Sequence, residues 1–194
     1  MGNKSRWKLH KTALALLITG MLFIGTSMAG ASVFTLPNFK QERSNWCWAA
    51  SSLMIINYLT GSKPSQCSVV KKGKASTSCP NEPGSFGRDI QRALDAYGIT
   101  DGWRVGGPTA ESVARTLIDQ KRPIMVRYGY HSSGKRTGHV VVLRGYTWNP
   151  GGKYYTYSWN DPASGTIKSG RYTYLVNNST WQWTHSRTGM GRQK

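Results

Sequence analysis

The spacing of apolar positions changes once along the chain, from a helical period in the first half to β-branched and aromatic runs in the second. Over 47–60 (CWAASSLMIINYLT) the residues Ala50, Leu53, Met54, Asn57 and Tyr58 recur at i, i+3 and i+4, and Gly61 follows. This predicts a largely buried helix closed by glycine. A second helix is predicted over 87–97, where Ile90, Leu94 and Tyr97 share a face before Gly98. A third is predicted from Thr109, read as its N-cap, through Val113 and Leu117 to Gln120, with Pro123 beyond it. After Pro123 the pattern predicts strands over 124–130, 139–148, 154–159 and 172–176. Asn149-Pro150-Gly151-Gly152 joins the second and third of these as an antiparallel hairpin. Residues 181–185 are expected to add an edge strand and 187–194 to form a polar tail, while the stretch between Cys67 and Cys79 reads as a Lys-, Ser- and Gly-containing loop.

The amino terminus follows a different rule. Lys4, Arg6, Lys8 and Lys11 stand without an acid before an apolar run over 12–26, and Ala29-Gly30-Ala31 offers small residues for cleavage. This is the pattern of a signal peptide over 1–31; a retained anchor would need ~20 apolar residues. The mature domain is then expected over 32–194, with a core at about 41–185, and the protein is expected to be secreted or held at the cell envelope.

The 194 residues suit one domain, and 8 Trp with 10 Tyr exclude a disordered basic tail protein. The formal charge is +18; losing the four leader bases leaves +14. Such a field favours an anionic cell wall or membrane surface as a partner. The bases are scattered, so no specific nucleic-acid site is expected, and a monomer is expected.

Three cysteines leave at least one thiol unpaired. Cys67 and Cys79 can bond to each other. Cys47 stands at the first turn of a predicted helix, where free backbone N–H groups and the helix dipole favour a thiolate; a buried hydrophobe or a disulfide half is the bland alternative. A nucleophilic thiolate needs an imidazole. His10 falls in the leader, and His131 and His185 read as surface or packing histidines, whereas His139 opens a strand that fixes its backbone. The imidazole needs a third group, and Asp161 lies at the far end of the hairpin, roughly as far from the turn as His139, so the two are expected to pair across the ladder. Gln41 can supply an oxyanion donor together with the Cys47 backbone N–H. No His/Cys pair has zinc-ligand spacing, so neither a metal nor another cofactor is expected.

Gln41-x5-Cys47-Trp48, Gly138-His139-Val140-Val141-Val142 and Asn160-Asp161-Pro162-x2-Gly165 stand in this order. In this the chain resembles the papain-like cysteine peptidases, and more closely their short bacterial secreted members of the bacteriocin-processing type. The resemblance implies an α+β fold with a helical lobe bearing the Cys helix packed on an antiparallel β-sheet lobe. It also implies Cys47 as nucleophile, His139 as general base and acid, Asp161 as orienter and Gln41 as oxyanion donor, acting on a protein or peptide substrate through a thioester acyl-enzyme. Papain itself uses Asn as orienter, so Asn160 stands as the alternative to Asp161. His139 follows Cys47 by 92 positions, against ~130 or more in the papain signature, which implies fewer substrate-binding loops. No large inhibitory propeptide is expected between the leader and Gln41. A cell-wall amidase or endopeptidase with the same triad, and a non-catalytic basic binding module, are the alternative functions.

Overall fold

The computed structural model describes residues 30–100 and 102–193, so the predicted leader, apart from Gly30 and Ala31, lies outside the described residues. The chain is α+β. Helices α1 (Cys47–Thr60), α2 (Gln66–Lys74) and α3 (Arg88–Asp95) form a helical lobe, and α4 (Glu111–Asp119) and α5 (Tyr172–Val176) attach to the sheet. The strands are β1 (Ser32–Val33), β2 (Trp103–Gly106), β3 (Ile124–Tyr130), β4 (Gly138–Asn149), β5 (Tyr154–Asp161), β6 (Thr166–Arg171) and β7 (Trp181–Thr188). They pair antiparallel in the order β2-β7-β3-β4-β5-β6, with β1 also on β4.

The predicted helix over 47–60 forms with those bounds and ends at Gly61, whose φ of 77° is the left-handed conformation that glycine adopts without strain. Its residues from Trp48 to Ile56 are all buried, because α2 and α3 cover one side and β4 the other. The β4–β5 hairpin also forms as expected.

Five expectations are corrected. The segment between Cys67 and Cys79 is not wholly a loop: its first half is α2, started by Ser65, whose hydroxyl accepts from the Ser68 N–H. Lys71, Lys72 and Lys74 hide a short helix that buries Val69, Val70 and Gly73. Thr109 is not a cap; α4 begins at Glu111 after Ala110, without a side-chain cap. Residues 172–176 are helix α5 rather than strand, docked by the fully buried Leu175, so tertiary burial overrides aromatic and β-branched propensity. The strand before it, β6, is exposed and polar, and an apolar pattern cannot reveal it. Finally, 181–185 belongs not to an edge but to β7, an inner strand between β2 and β3. The expected polar tail places Arg187 in the interior, where its guanidinium donates to Gln91 Oε1 and to the carbonyls of Phe86 and Gly87.

Cys67 and Cys79 are bonded, with Cα atoms 5.2 Å apart and a sequence separation of 12. Closing a loop of that length removes chain entropy from the unfolded state worth about 3 kcal/mol. Replacing both by Ala should therefore lower Tm by roughly 6–12 °C for a domain of this size, read by differential scanning calorimetry. An unchanged Tm would show that the bond does not constrain the unfolded chain.

Candidate active site

Cys47 is the first residue of α1 and its thiol is free and half-buried. Its neighbours hold it there. Trp46 and Trp48 are each 1% exposed; the Trp46 indole N–H donates to the Pro80 carbonyl at 2.9 Å and that of Trp48 to the Glu82 carbonyl at 3.2 Å. The Trp48 ring lies against Gly73 and Gly84, where a Cβ would collide with it. With both tryptophans pinned inward, Cys47 is left facing the cleft. Trp46 occupies the N-cap position, no side chain caps the helix, and the first turn has no acid. The amides that an Asp or Ser cap would satisfy thus remain available to a charge on the sulfur.

The opposite wall is the start of β4. His139 pairs with Tyr128 of β3, and its Nε2–H donates to Asp161 Oδ1 at 2.6 Å. The expected direct pairing of His139 with Asp161 across the ladder is corrected: the register has Val142 opposite Asn160, and a bulge follows between Leu143 and Gly145. That register puts Asp161 beside Val141 and makes His139 its diagonal neighbour on the same face, within side-chain reach. Asn160 points to the other face, fully buried, and its Nδ2 donates to the carbonyls of Leu36 and Pro37. Asp161, and not Asn160, meets the imidazole.

One hydrogen bond joins the two walls. Ser51 lies one turn after Cys47, and its buried hydroxyl donates to the carbonyl of Val140, the residue after His139, at 3.0 Å. Gln41 enters the same cleft, its backbone N–H donating to the Pro162 carbonyl at 2.8 Å. Its Nε2 donates to the carbonyls of Arg43 and Ser44 at 2.9 and 2.7 Å. The cleft between the walls has a volume of about 360 Å³. His131 and His185 lie elsewhere, the first against Asn177 and Asn178, the second with its ring on Phe86. Among the described residues no three His, Cys, Asp or Glu side chains are grouped to hold a metal.

Electrostatics ties the site together. Burial is the largest single influence on His139 and opposes its charge. The hydrogen bonds to Asp161 and Cys47, and the charges on both, outweigh burial and raise its pKa to about 9. Because Nε2 is held by Asp161, Nδ1 is the nitrogen left for Cys47. Burial likewise pushes the Asp161 pKa up, but His139, Lys168 and the Ala163 N–H bring it well below the usual carboxylate range.

Lys168, Arg127 and Ser51 belong to this site and escaped the sequence reading. Lys168 of β6 binds Asp161 Oδ2 at 2.5 Å, so each oxygen of that carboxylate has its own cation. Arg127 of β3 lines the cleft and interacts with the Cys47 charge. Both sit in strands whose pattern carries no functional motif; only the register brings them to the site.

A protein-family model, that of the Peptidase_C39 like family, matches residues 33–189. The comparison with curated proteins finds no match.

The imidazole gives a direct test. Its C–H proton resonances should titrate with an apparent pKa near 9. In Asp161→Asn the burial penalty stays while the hydrogen bond to a carboxylate and its charge are lost, so the value should fall by about one to three pH units. An unchanged titration would separate His139 from Asp161.

Proposed function

The chain belongs to the Peptidase_C39-like family and is a papain-like cysteine peptidase domain, and on that footing we propose that it is a secreted endopeptidase working through Cys47, His139 and Asp161. The observation that carries the reading is an imidazole held by a buried carboxylate at 2.6 Å in the same cleft that the only free thiol among the described residues lines.

In the reactive form His139 carries the proton and the Cys47 sulfur the negative charge, as a sulfur nucleophile requires. The sulfur attacks the peptide carbonyl, and the oxyanion that forms is met by the Cys47 backbone N–H, which as the first helical residue has no intrahelical acceptor. Gln41 supplies the second donor when one of its amide hydrogens turns from its loop carbonyl toward the cleft. His139 gives its Nδ1 proton to the leaving amine as the C–N bond breaks, and a thioester remains. A water then loses a proton to the neutral imidazole and attacks the thioester. The acid leaves, and the thiolate and imidazolium are restored. Asp161 stays ionised throughout and fixes the ring, and Lys168 fixes Asp161.

The leader predicted over 1–31 supports export, and the +14 charge of the remaining chain supports residence near an anionic wall or membrane. That charge also favours a second reading, in which the same triad cuts peptide bonds or amides of the cell wall. Digestion of purified walls, followed by assay of released amines, separates the two.

Cys47→Ser should abolish turnover while leaving Tm unchanged. His139→Ala should slow alkylation of Cys47 by iodoacetamide at least about tenfold, because the nucleophile loses its imidazole partner. Because the raised His139 pKa keeps the imidazolium intact up to about pH 9, kcat/KM should fall on the alkaline side near that pH. Equal alkylation rates in the two proteins would defeat the assignment.

A further inference from the structure

The cleft is electrostatically lopsided. Arg127 and Arg136 both line it, and among the described residues no Asp or Glu does. The His139 charge is answered by Asp161, so the two guanidinium groups leave the cleft with a net positive field.

Among the described residues no carboxylate pairs with either guanidinium. Arg127 Nη1 donates to Thr184 Oγ1 at 2.7 Å, and Nη2 donates to the carbonyls of Lys135 and Arg136 at 3.1 Å each. These are neutral acceptors. Arg136 is exposed and uses its Nε on the Ser133 carbonyl at 3.3 Å. The ion pairs among the described residues employ Lys74, Arg88, Arg115, His139 and Lys168, and neither of these two arginines. Burial disfavours the Arg127 charge and the Cys47 charge supports it, and both residues line the cleft.

Resting on the peptidase reading, we propose that Arg127 and Arg136 form a carboxylate-binding subsite beside Cys47, so that the substrate is a peptide with an acidic group next to the scissile bond. Arg127 has a second role as a brace: by gripping the backbone at 135 and 136 it sets the position of Arg136. The Arg136 guanidinium keeps its two terminal nitrogens for the ligand, in the fork that matches a carboxylate bidentately. An exposed charge partnered by a half-buried one gives selectivity that falls with salt. A carboxylate of this kind comes either from an Asp or Glu side chain or from the free carboxyl terminus of the substrate.

The test uses quenched fluorescent peptides of one sequence, carboxyl-terminally amidated, with Glu, Gln or Lys at each position flanking the cleaved bond, together with the Gln peptides as free acids. Peptidyl acyloxymethyl ketones with the same three residues report directed labelling of Cys47 independently of turnover. We expect kcat/KM and labelling rate to favour Glu over Gln at one position by at least about tenfold, and Lys to be the worst. Arg136→Gln should bring the Glu/Gln ratio close to one and Arg136→Glu should invert the Glu/Lys order, with Tm preserved because the side chain is exposed. The ratio should also decline between low and high salt.

A preference for the free acids in place of internal Glu, erased in the same variants, identifies the terminal carboxylate as the ligand and supports the subsite. Equal rates for Glu and Gln in every format overturn it and leave the peptidase reading standing. A preference that survives both Arg136 variants also overturns it. Glu-directed labelling of Cys47 with no peptide cleaved supports the subsite and overturns the peptidase reading. Absence of both directed labelling and cleavage overturns the two together.

Discussion

The hydrogen bond from Ser51 to the Val140 carbonyl fixes what the rest of the site depends on, which is the height at which α1 sits on β4. Cys47 lies one helical turn before the donor and His139 one residue before the acceptor, so the bond, the thiol and the imidazole share the same pair of rigid elements. The contact is dry, with Ser51 fully buried, and a slip along the strand would strand a donor and an acceptor away from water, at about 1–3 kcal/mol for each group. A helix and a strand are stiff over such distances. The separation of sulfur and imidazole is therefore set by packing of the two lobes, not by the loops around the cleft.

Charges inside this seam are tolerated because each is answered locally. His139 and Asp161 are both largely buried, and burial alone would neutralise both. Their mutual bond, the Lys168 ion pair behind the carboxylate and the sulfur in front of the ring reverse that outcome, and the row Lys168, Asp161, His139 alternates in sign from surface to cleft, with the Cys47 sulfur next in line. Removing one member leaves its neighbour as a lone buried charge, a larger penalty than the net worth of the pair. The uncapped start of α1 continues the alternation, since its free amides carry positive partial charge toward the sulfur.

The legible parts of the sequence were those in which period and chemistry agreed. Helix α1 could be read to the residue because a glycine in left-handed conformation closes a continuous apolar segment, and strands β3, β4 and β5 because branched and aromatic residues run between strong turn signals. Cys47, His139 and Asp161 could be named because each stands at the end of such an element. What stayed hidden depended on register or on burial of polar residues. The bulge after Leu143 moves the register by one residue and leaves Asp161 two positions from His139 on the same face, and no composition marks it. Lys168 and Arg127 are ordinary strand cations until pairing places them, and β7 looked peripheral because Arg187 and Ser186, both polar, sit in its interior. Helix α5 was misread because five residues carry too little periodicity to outweigh aromatic propensity.

The segment before Gln41 explains why so short a chain can hold two lobes in place. Phe34 bonds to Arg144, the carbonyls of Leu36 and Pro37 accept from Asn160, Asn38 donates to the Gly165 carbonyl, and the Lys40 carbonyl accepts from Gln66 of the helical lobe. Gln41 then bonds to Pro162, and the Glu42 N–H bonds to the Gln66 side chain. The strap thus crosses from sheet to helices beside the Asp161 turn. It begins at β1, Ser32–Val33, which pairs with Gly145 and Tyr146 of β4. Cleavage at Ala31, expected from the sequence, would leave that strand whole, whereas removal of even a few more residues would take the first anchor away. Asn160, passed over as a partner of the imidazole, holds the strap from the opposite face of the same strand, so adjacent residues of β5 serve the two tasks: Asp161 orients the ring, and Asn160 fastens the segment that delivers Gln41 to the cleft.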